Sequence, residues 1–238
     1  MTPRIVVGMA VYNEEQYLNE TIPAILAQTM PDFRLLILDN GSTDRSHEMI
    51  TQYADRDERI TPLHSVKNRR PGVVANLMQD IAREDCPDTR WFLGHGADDL
   101  MAPNYLETIL DTAAEHPDVN LIFSPWQWIG HSEKGIKRFP AFDAETCHAV
   151  HQIPAWSAFT RELWDEVGGH DETMIAADWD WVVRAREHIR AVQLDRPHIA
   201  LRVRTGVRKS QSEEVNWPTL HRHLCGLAGK PVPAWAQC

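Results

Sequence analysis

Residues 35–44, Leu35-Leu36-Ile37-Leu38-Asp39-Asn40-Gly41-Ser42-Thr43-Asp44, decide the fold class. Four consecutive apolar residues predict a strand buried on both faces, as in a parallel sheet covered by helices. The strand ends at a carboxylate, followed by a turn-forming Asn-Gly and by small hydroxyl and acidic residues suited to starting a helix. An acid at the carboxyl end of such a strand stands where open α/β sheets bind ligands. Asp39 is therefore a candidate contact to a nucleotide base or ribose. A strand-to-helix turn closed by a capping acid is the other reading of the same residues.

Outward from this stretch the chain alternates. Residues 4–11 predict a first buried strand, and Asn13 offers a helix N-cap with Gln16 three residues on, in capping-box position. A helix is expected to about Thr29, with Pro23 inside it. Another helix is expected from Asp44, then a short strand near 59–64 and the basic loop Lys67-Asn68-Arg69-Arg70-Pro71-Gly72. Val73, Val74, Leu77, Met78, Ile81 and Ala82 repeat with helical period. Trp91-Phe92-Leu93 predict a strand ended by Gly94-His95-Gly96, and Pro103 opens a helix through Ala114. A strand at 119–124 completes a β-α-β-α alternation, the pattern of a doubly wound, mainly parallel sheet flanked by helices. Beyond about residue 125 the pattern loosens. Segment 130–150 is polar and predicts a mobile loop or an insertion; helices are expected at 161–168 and 178–189, and a strand at 198–204.

At 238 residues the chain holds one large α/β domain, or one core with a small appendage. The net charge of −10 argues against nucleic acid or an anionic membrane as main partner. Cys86, Cys147, Cys225 and Cys238 form no CxxC pair or zinc spacing. With no leader at its start, reduced thiols in a cytoplasm are expected, and no apolar run is long enough to span a bilayer.

Further constellations carry chemistry. Asp98-Asp99 follows a strand end and suits a hard divalent cation held by oxygen ligands; an acidic turn before Pro103 is the alternative. Asp178 and Asp180 open a helix, where residues two apart face nearly opposite ways, so only one carboxylate points into a given cleft. Asp178 also suits an N-cap. Arg202, Arg204, Arg208 and Lys209 could neutralise a diphosphate or form a solvated sheet edge. GxGxxG, GxSxG and Walker sequences are absent, and the twelve histidines lack HExxH spacing, which leaves them as surface or turn residues.

Together these pieces resemble the family 2 glycosyltransferases of the GT-A fold. The likeness runs through Val11-Tyr12-Asn13-Glu14-Glu15-Gln16-Tyr17-Leu18, Gln28-Thr29, Asp32-Phe33, Asp39 to Asp44, Asn68, Asn76 and Asp98 to Leu106. It continues in Val167-Gly168-Gly169-His170-Asp171-Glu172 and Asp178-Trp179-Asp180, covering roughly residues 3–210. The resemblance implies a single domain over 1–210, with a nucleotide-sugar half at 1–125, an acceptor half at 126–210 and a tail at 211–238. It implies an inverting transfer from a UDP- or dTDP-sugar to an acceptor hydroxyl, the acceptor being a soluble glycoside, a lipid-linked saccharide or a small molecule. By the same resemblance Ala10, Tyr12, Glu14, Asp39, Asn68, Asn76, Ala97 and Arg204 serve nucleotide binding. Asp98, as the second acid of the DxD motif, holds Mn²⁺ or Mg²⁺, and Asp178 is the catalytic base.

Three departures from the family pattern stand out. The first acid of DxD is Gly96, the acidic pair before the catalytic position is Ala177-Asp178, and Arg204 replaces a histidine near the last core strand. An arginine cannot coordinate a cation, so a weaker metal dependence is expected, with Arg204 contacting phosphate oxygens. The rival readings are a catalytically silent GT-A domain that binds a nucleotide sugar or a protein partner, and a nucleotidyltransferase. The latter calls for a glycine-rich basic loop where Val11-Tyr12-Asn13-Glu14-Glu15 is acidic. Trp126, Trp128 and Trp156 lie near the acceptor segments, where they pack the core or stack on sugar.

Overall fold

The computed structural model describes residues 3–130, 135–174, 176–203, 217–232 and 237. Its main sheet has seven strands in the order β10-β6-β9-β4-β1-β2-β3. These are β1 (Ile5–Val11), β2 (Phe33–Asp39), β3 (Ile60–His64), β4 (Trp91–Gly96), β6 (Leu121–Phe123), β9 (Ala158–Thr160) and β10 (Ala191–Gln193). β1, β2, β3 and β4 pair in parallel, β10 is parallel to β6, and β9 alone runs antiparallel, between β4 and β6. The expected mainly parallel sheet is therefore present.

The run 35–38 is fully buried because its two faces meet different layers. Leu35 and Ile37 pack with Leu18, Ile22 and Ile25 of α1 (Glu15–Leu26) and with Met49 and Ile50 of α2 (Ser46–Ala54). Leu36 and Leu38 pack with Val74, Met78 and Ala82 of α3 (Pro71–Asp85). Period-2 alternation thus separates two apolar layers, and each such side chain contributes roughly 1.5–3 kcal/mol. α4 (Tyr105–Glu115) joins the first layer through Tyr105, Leu106, Ile109 and Leu110.

Some local boundaries differ from those expected. Asn13 does not cap α1: it adopts φ 56°, and Glu14 precedes the helix without a side-chain cap. The Asn13 carboxamide oxygen instead accepts from Thr43 N (2.8 Å), while Asn13 N donates to Ser42 Oγ (3.0 Å). Asp44 accepts from Glu15 N at 3.1 Å and Ser46 N at 2.9 Å, and Glu15 accepts from Arg45 N at 2.9 Å. Because β1 and β2 are neighbours, their two strand-to-helix turns cap each other's helices. Burial opposes ionisation of Asp44, but the bonds from Ser46 and Glu15 outweigh it and hold its carboxyl below the usual range. α1 ends at Leu26, short of Thr29, and the strand at 91 continues through His95 to Gly96.

A second sheet, β5-β11-β7-β8, comprises β5 (Leu100–Met101), β7 (Trp126–Ile129), β8 (Ile136–Lys137) and β11 (Ile199–Arg202). Residues 135–150 form β8 and bury Phe139 and Cys147 in an apolar cluster, with Phe142 packed against it, and so are not merely a loose loop. Residues 131–134 lie outside the described residues. That cluster joins α5 (Arg161–Val167), α6 (Ala177–Ala185) and α7 (Trp217–Ala228), with Leu220 and Leu224 of α7 buried. The segment from Trp217 is therefore a docked helix. Among the described residues no helix is long and apolar enough to cross a membrane.

Candidate active site

The carboxyl ends of β2, β1 and β4 lie side by side. Register places Val11 against Asp39 and Ala10 against both Leu38 and Gly96. Ala10, on a central strand of the sheet, is nevertheless exposed, so this edge is uncovered at that point. Asp39 forms one wall. Its side chain is completely buried, and Oδ1 accepts from Ser42 N at 3.0 Å. Oδ2 lies 3.0 Å from His64 Nδ1 and 3.4 Å from His47 Nδ1. Asp39, His47 and His64 together form a candidate metal-holding cluster.

The turn after Asp39 is clasped by the basic loop. Asn40 Nδ2 donates to Asn68 Oδ1 (2.9 Å) and Arg69 O (3.0 Å), and Asn40 Oδ1 accepts from Arg69 N at 2.9 Å. Gly41 makes the clasp possible: its φ is +79°, and a Cβ would lie 2.6 Å from the Lys67 carbonyl carbon. The same loop reaches residues 171–177. Arg70 Nη1 donates to Thr173 O at 2.8 Å, and Gly72 lies against Asp171 and Ala177. Residues 67–72 thus run from the Asp39 turn to the start of α6, which carries Asp178.

Asp98 and Asp99 divide their tasks. β11 pairs antiparallel with β5, Ala200 against Leu100, and Arg202 at its end reaches this turn. Asp99 is buried and committed: Oδ1 accepts from Arg202 N (2.9 Å) and Oδ2 from Trp156 Nε1 (3.0 Å). Asp98 is partly exposed, and its carbonyl accepts from Arg202 Nε at 2.9 Å. Of the two adjacent acids, Asp99 is thereby tied into the fold by Trp156 and Arg202. Gly96 cannot simply be replaced by the missing acid, since a Cβ there would run into Asp99 Oδ2 and lie 3.1 Å from Trp156 Cζ2. We expect Gly96→Asp to lose about 1–3 kcal/mol of stability by overpacking and to gain no Mn²⁺ affinity, as read by thermal unfolding and a Mn²⁺ titration.

Arg202, expected among free cations, is engaged by Glu20 (Nη2 to Oε2, 2.7 Å) and lies 4.7 Å from the Tyr17 ring. Arg204, Arg208 and Lys209 lie outside the described residues. Tyr12 is exposed, as a stacking surface requires. Glu14 is largely buried at the start of α1, where its N donates to Ser46 Oγ at 2.9 Å. Ala97 is buried and its carbonyl accepts from Thr21 Oγ1 at 2.9 Å. Asn76 binds the 168–172 turn, accepting from His170 N (2.8 Å) and donating to His170 O (3.0 Å) and Glu172 Oε1 (3.1 Å). It also lines a 320 Å³ recess with Asp80, Arg83 and Trp164.

In the first turn of α6 the two acids face different surroundings, as helical geometry requires. The Asp178 side chain is 38% exposed, with Oδ2 3.6 Å from His151 Nε2. It is not an N-cap; Ala176 holds that position and makes no side-chain cap bond. The Asp180 side chain is 1% exposed, bound by Arg184 Nε at 2.8 Å and His223 Nε2 at 2.6 Å. Ala177, in place of an acid, is buried and packs against Gly72.

His95 lies three residues before Asp98. Its ring is buried; Nδ1 contacts Gly96 O at 2.7 Å, and Nε2 has no partner among the described residues. Burial lowers its pKa from 6.5 to about 4, against the opposing pull of Gly96 O and Asp98. A histidine kept neutral in the fold stabilises fully above its unfolded pKa. That contribution is lost as pH falls from about 6.5 towards about 4, at about 1.4 kcal/mol per pH unit. His95→Gln should remove this part of the acid sensitivity, measured by denaturant unfolding across that range.

Sequence reading missed four histidines. His64 was findable, since the parallel register sets the last residue of β3 against Asp39. His47, His151 and His223 reach their partners only through tertiary packing.

The fold, a mainly parallel sheet flanked by helices, is that of the GT-A glycosyltransferases. The chain belongs to glycosyl transferase family 2, whose match covers residues 6–168. It is 32% identical over 139 residues to an uncharacterized glycosyltransferase of Methanocaldococcus jannaschii, covering 58% of this chain and 46% of that protein. It is 33% identical over 109 residues to an uncharacterized glycosyltransferase of Haemophilus influenzae, covering 46% and 42%. The chain thus spans less than half the length of these relatives. Among solved structures, S. aureus TarS 1–349 in complex with UDP-GlcNAc superposes with a TM-score of 0.79 at 16% identity, covering 94% of this chain and 66% of that one. The Pyrobaculum calidifontis mannosyltransferase PcManGT in complex with GDP-Man and Mn²⁺ gives 0.63 at 18% identity, covering 95% and 63%.

Proposed function

We propose that the protein is an inverting glycosyltransferase that moves a sugar from a nucleoside-diphosphate donor, a UDP- or dTDP-sugar, to an acceptor hydroxyl. The observation that carries this reading is the continuity of the 67–72 segment. It joins the turn after Asp39, through Asn40, to the start of the helix bearing Asp178, through Thr173 and Ala177. Donor and catalytic elements are thereby held in one frame. Family membership and the nucleotide-sugar complexes of TarS and PcManGT add support.

In this reading Asp39 accepts from the base or ribose and Tyr12 stacks on the base. Ala10, Ala97, Glu14, Asn68 and Asn76 shape the donor side. Asp178 takes the acceptor proton as that oxygen attacks the anomeric carbon opposite the leaving diphosphate, which inverts the configuration. The donor set at residues 96–99 fits Mg²⁺ or Mn²⁺, ions that commonly take one or two carboxylates and complete their shell with phosphate and water. Held by Asp98, such an ion would offset charge on the departing diphosphate. Arg204 takes part of that task by direct contact with phosphate oxygens. The domain is read as 1–210, with donor and acceptor halves meeting near residue 125.

The reduction of the metal-binding acids to Asp98 favours one rival, a silent domain that binds a nucleotide sugar without turning it over. To separate the two, the protein is incubated with UDP-, dTDP- and GDP-sugars, Mn²⁺ and candidate acceptors, and released nucleoside diphosphate is measured. Release with a product of inverted anomeric configuration supports the enzyme. Binding of donor without release, across acceptors, supports the silent domain.

A further inference from the structure

We propose a transition-metal site formed by Asp39, His47 and His64, separate from Asp98 and suited to Zn²⁺. It is the one grouping among the described residues in which three potential ligand atoms lie within 4.8 Å of one another. Three elements converge on it: Asp39 ends β2, His64 ends the adjacent strand in register with it, and His47 lies in the first turn of α2. The histidine rings stand 4.5 Å apart at 57°, so both Nδ1 atoms approach the same carboxylate oxygen without stacking.

The two spacings to the carboxylate match a tetrahedral ion. With bonds of 2.0–2.1 Å to nitrogen and oxygen, ligand atoms of a tetrahedron stand about 3.3 Å apart. The two Asp39-to-histidine distances are 3.0 and 3.4 Å. Two imidazoles with one carboxylate select zinc-like ions over Mg²⁺, and three protein ligands leave a fourth position open. The carboxylate is oriented from behind by Ser42 N on Oδ1, the outer-shell support such ligands use. Access is open, because the His47 and His64 side chains are 55% and 45% exposed while Asp39 is buried.

One consequence rests on the donor reading above: an ion on Asp39 and a nucleotide base on Asp39 compete. Zinc would then act as an inhibitor distinct from the Mn²⁺ or Mg²⁺ at Asp98.

The test uses Co²⁺ as a spectroscopic probe of the full chain. Expected is one equivalent with the intense visible absorption of tetrahedral Co²⁺, displaced by Zn²⁺. His47→Ala and His64→Ala should each weaken binding by at least about 100-fold, the upper end of what outer-shell changes cost. Asp98→Asn should leave it unchanged. Both histidines are half exposed, and far-UV circular dichroism verifies that the variants fold. Absence of the tetrahedral signal, or binding indifferent to both histidine substitutions, overturns the site. Uridine, which has no phosphates to chelate the probe, then examines the donor reading separately. If it lowers Co²⁺ affinity, both readings stand. If it has no effect on a histidine-dependent Co²⁺ signal, the metal site stands and the assignment of Asp39 to a uridine base or ribose falls.

Discussion

Asp178→Asn lowers kcat by about 10²–10⁴-fold, the usual contribution of a positioned general base, and leaves the donor KM near that of the unaltered protein. The amide keeps the shape of the carboxylate and its proximity to His151 but cannot accept the acceptor's proton. Only an interaction made in the transition state is lost, so turnover falls without loss of donor binding. The side chain is 38% exposed, so stability should stay within about 0.5 kcal/mol. Steady-state rates of nucleoside diphosphate release, with an unfolding curve for the same variant, check both halves. Full turnover by Asp178→Asn removes Asp178 as the base. An equal fall in kcat and stability assigns it to the fold.

Much of the amino-terminal sheet was legible because local sequence dictates it. An unbroken apolar run ended by an acid and Asn-Gly predicts a doubly covered parallel strand, and Leu35 to Asp39 adopt that arrangement. Asn13 shows where local rules stop. Its capping-box spacing is real, but the turn at residues 42–44 offers bonds from across the sheet, and these hold it at φ 56°. Asp99 is a second case: its neighbour in sequence is Asp98, yet its bonds come from Trp156 and Arg202, 57 and 103 positions away. The altered DxD motif was visible as Gly96, but its steric reason was not. Only packing shows Asp99 and Trp156 occupying the space an acid would need. The short strands β5, β8 and β10 lack a readable period, and α7 was obscured by a segment with no clear pattern before it.

Arg184→Met destabilises the protein by about 4 kcal/mol, within the range for removing one partner of a buried ion pair. At about 2–4 °C per kcal/mol for a chain of this size, the midpoint falls by roughly 8–16 °C. Asp180 is the reason. Its side chain is 1% exposed, and its two oxygens are held by Arg184 from the same helix and His223 from α7. Arg184 also donates to Val167 O at 3.2 Å and Gly169 O at 2.7 Å, fastening α6 to the end of α5 and the Gly168-Gly169 turn. Methionine keeps much of the volume but leaves a buried carboxylate with one partner and two carbonyls without theirs. His223→Gln should cost less, about 1 kcal/mol, because Arg184 remains and the amide can still donate. The order of the two variants in urea unfolding is the check, and a loss at Arg184 no larger than that at His223 would reject the buried anchor. Asp178 lies two residues before Asp180 on the same helix. The network that holds Asp180 therefore fixes the rotation of the turn presenting the proposed base, and Arg184→Met should lower kcat even at temperatures where it remains folded.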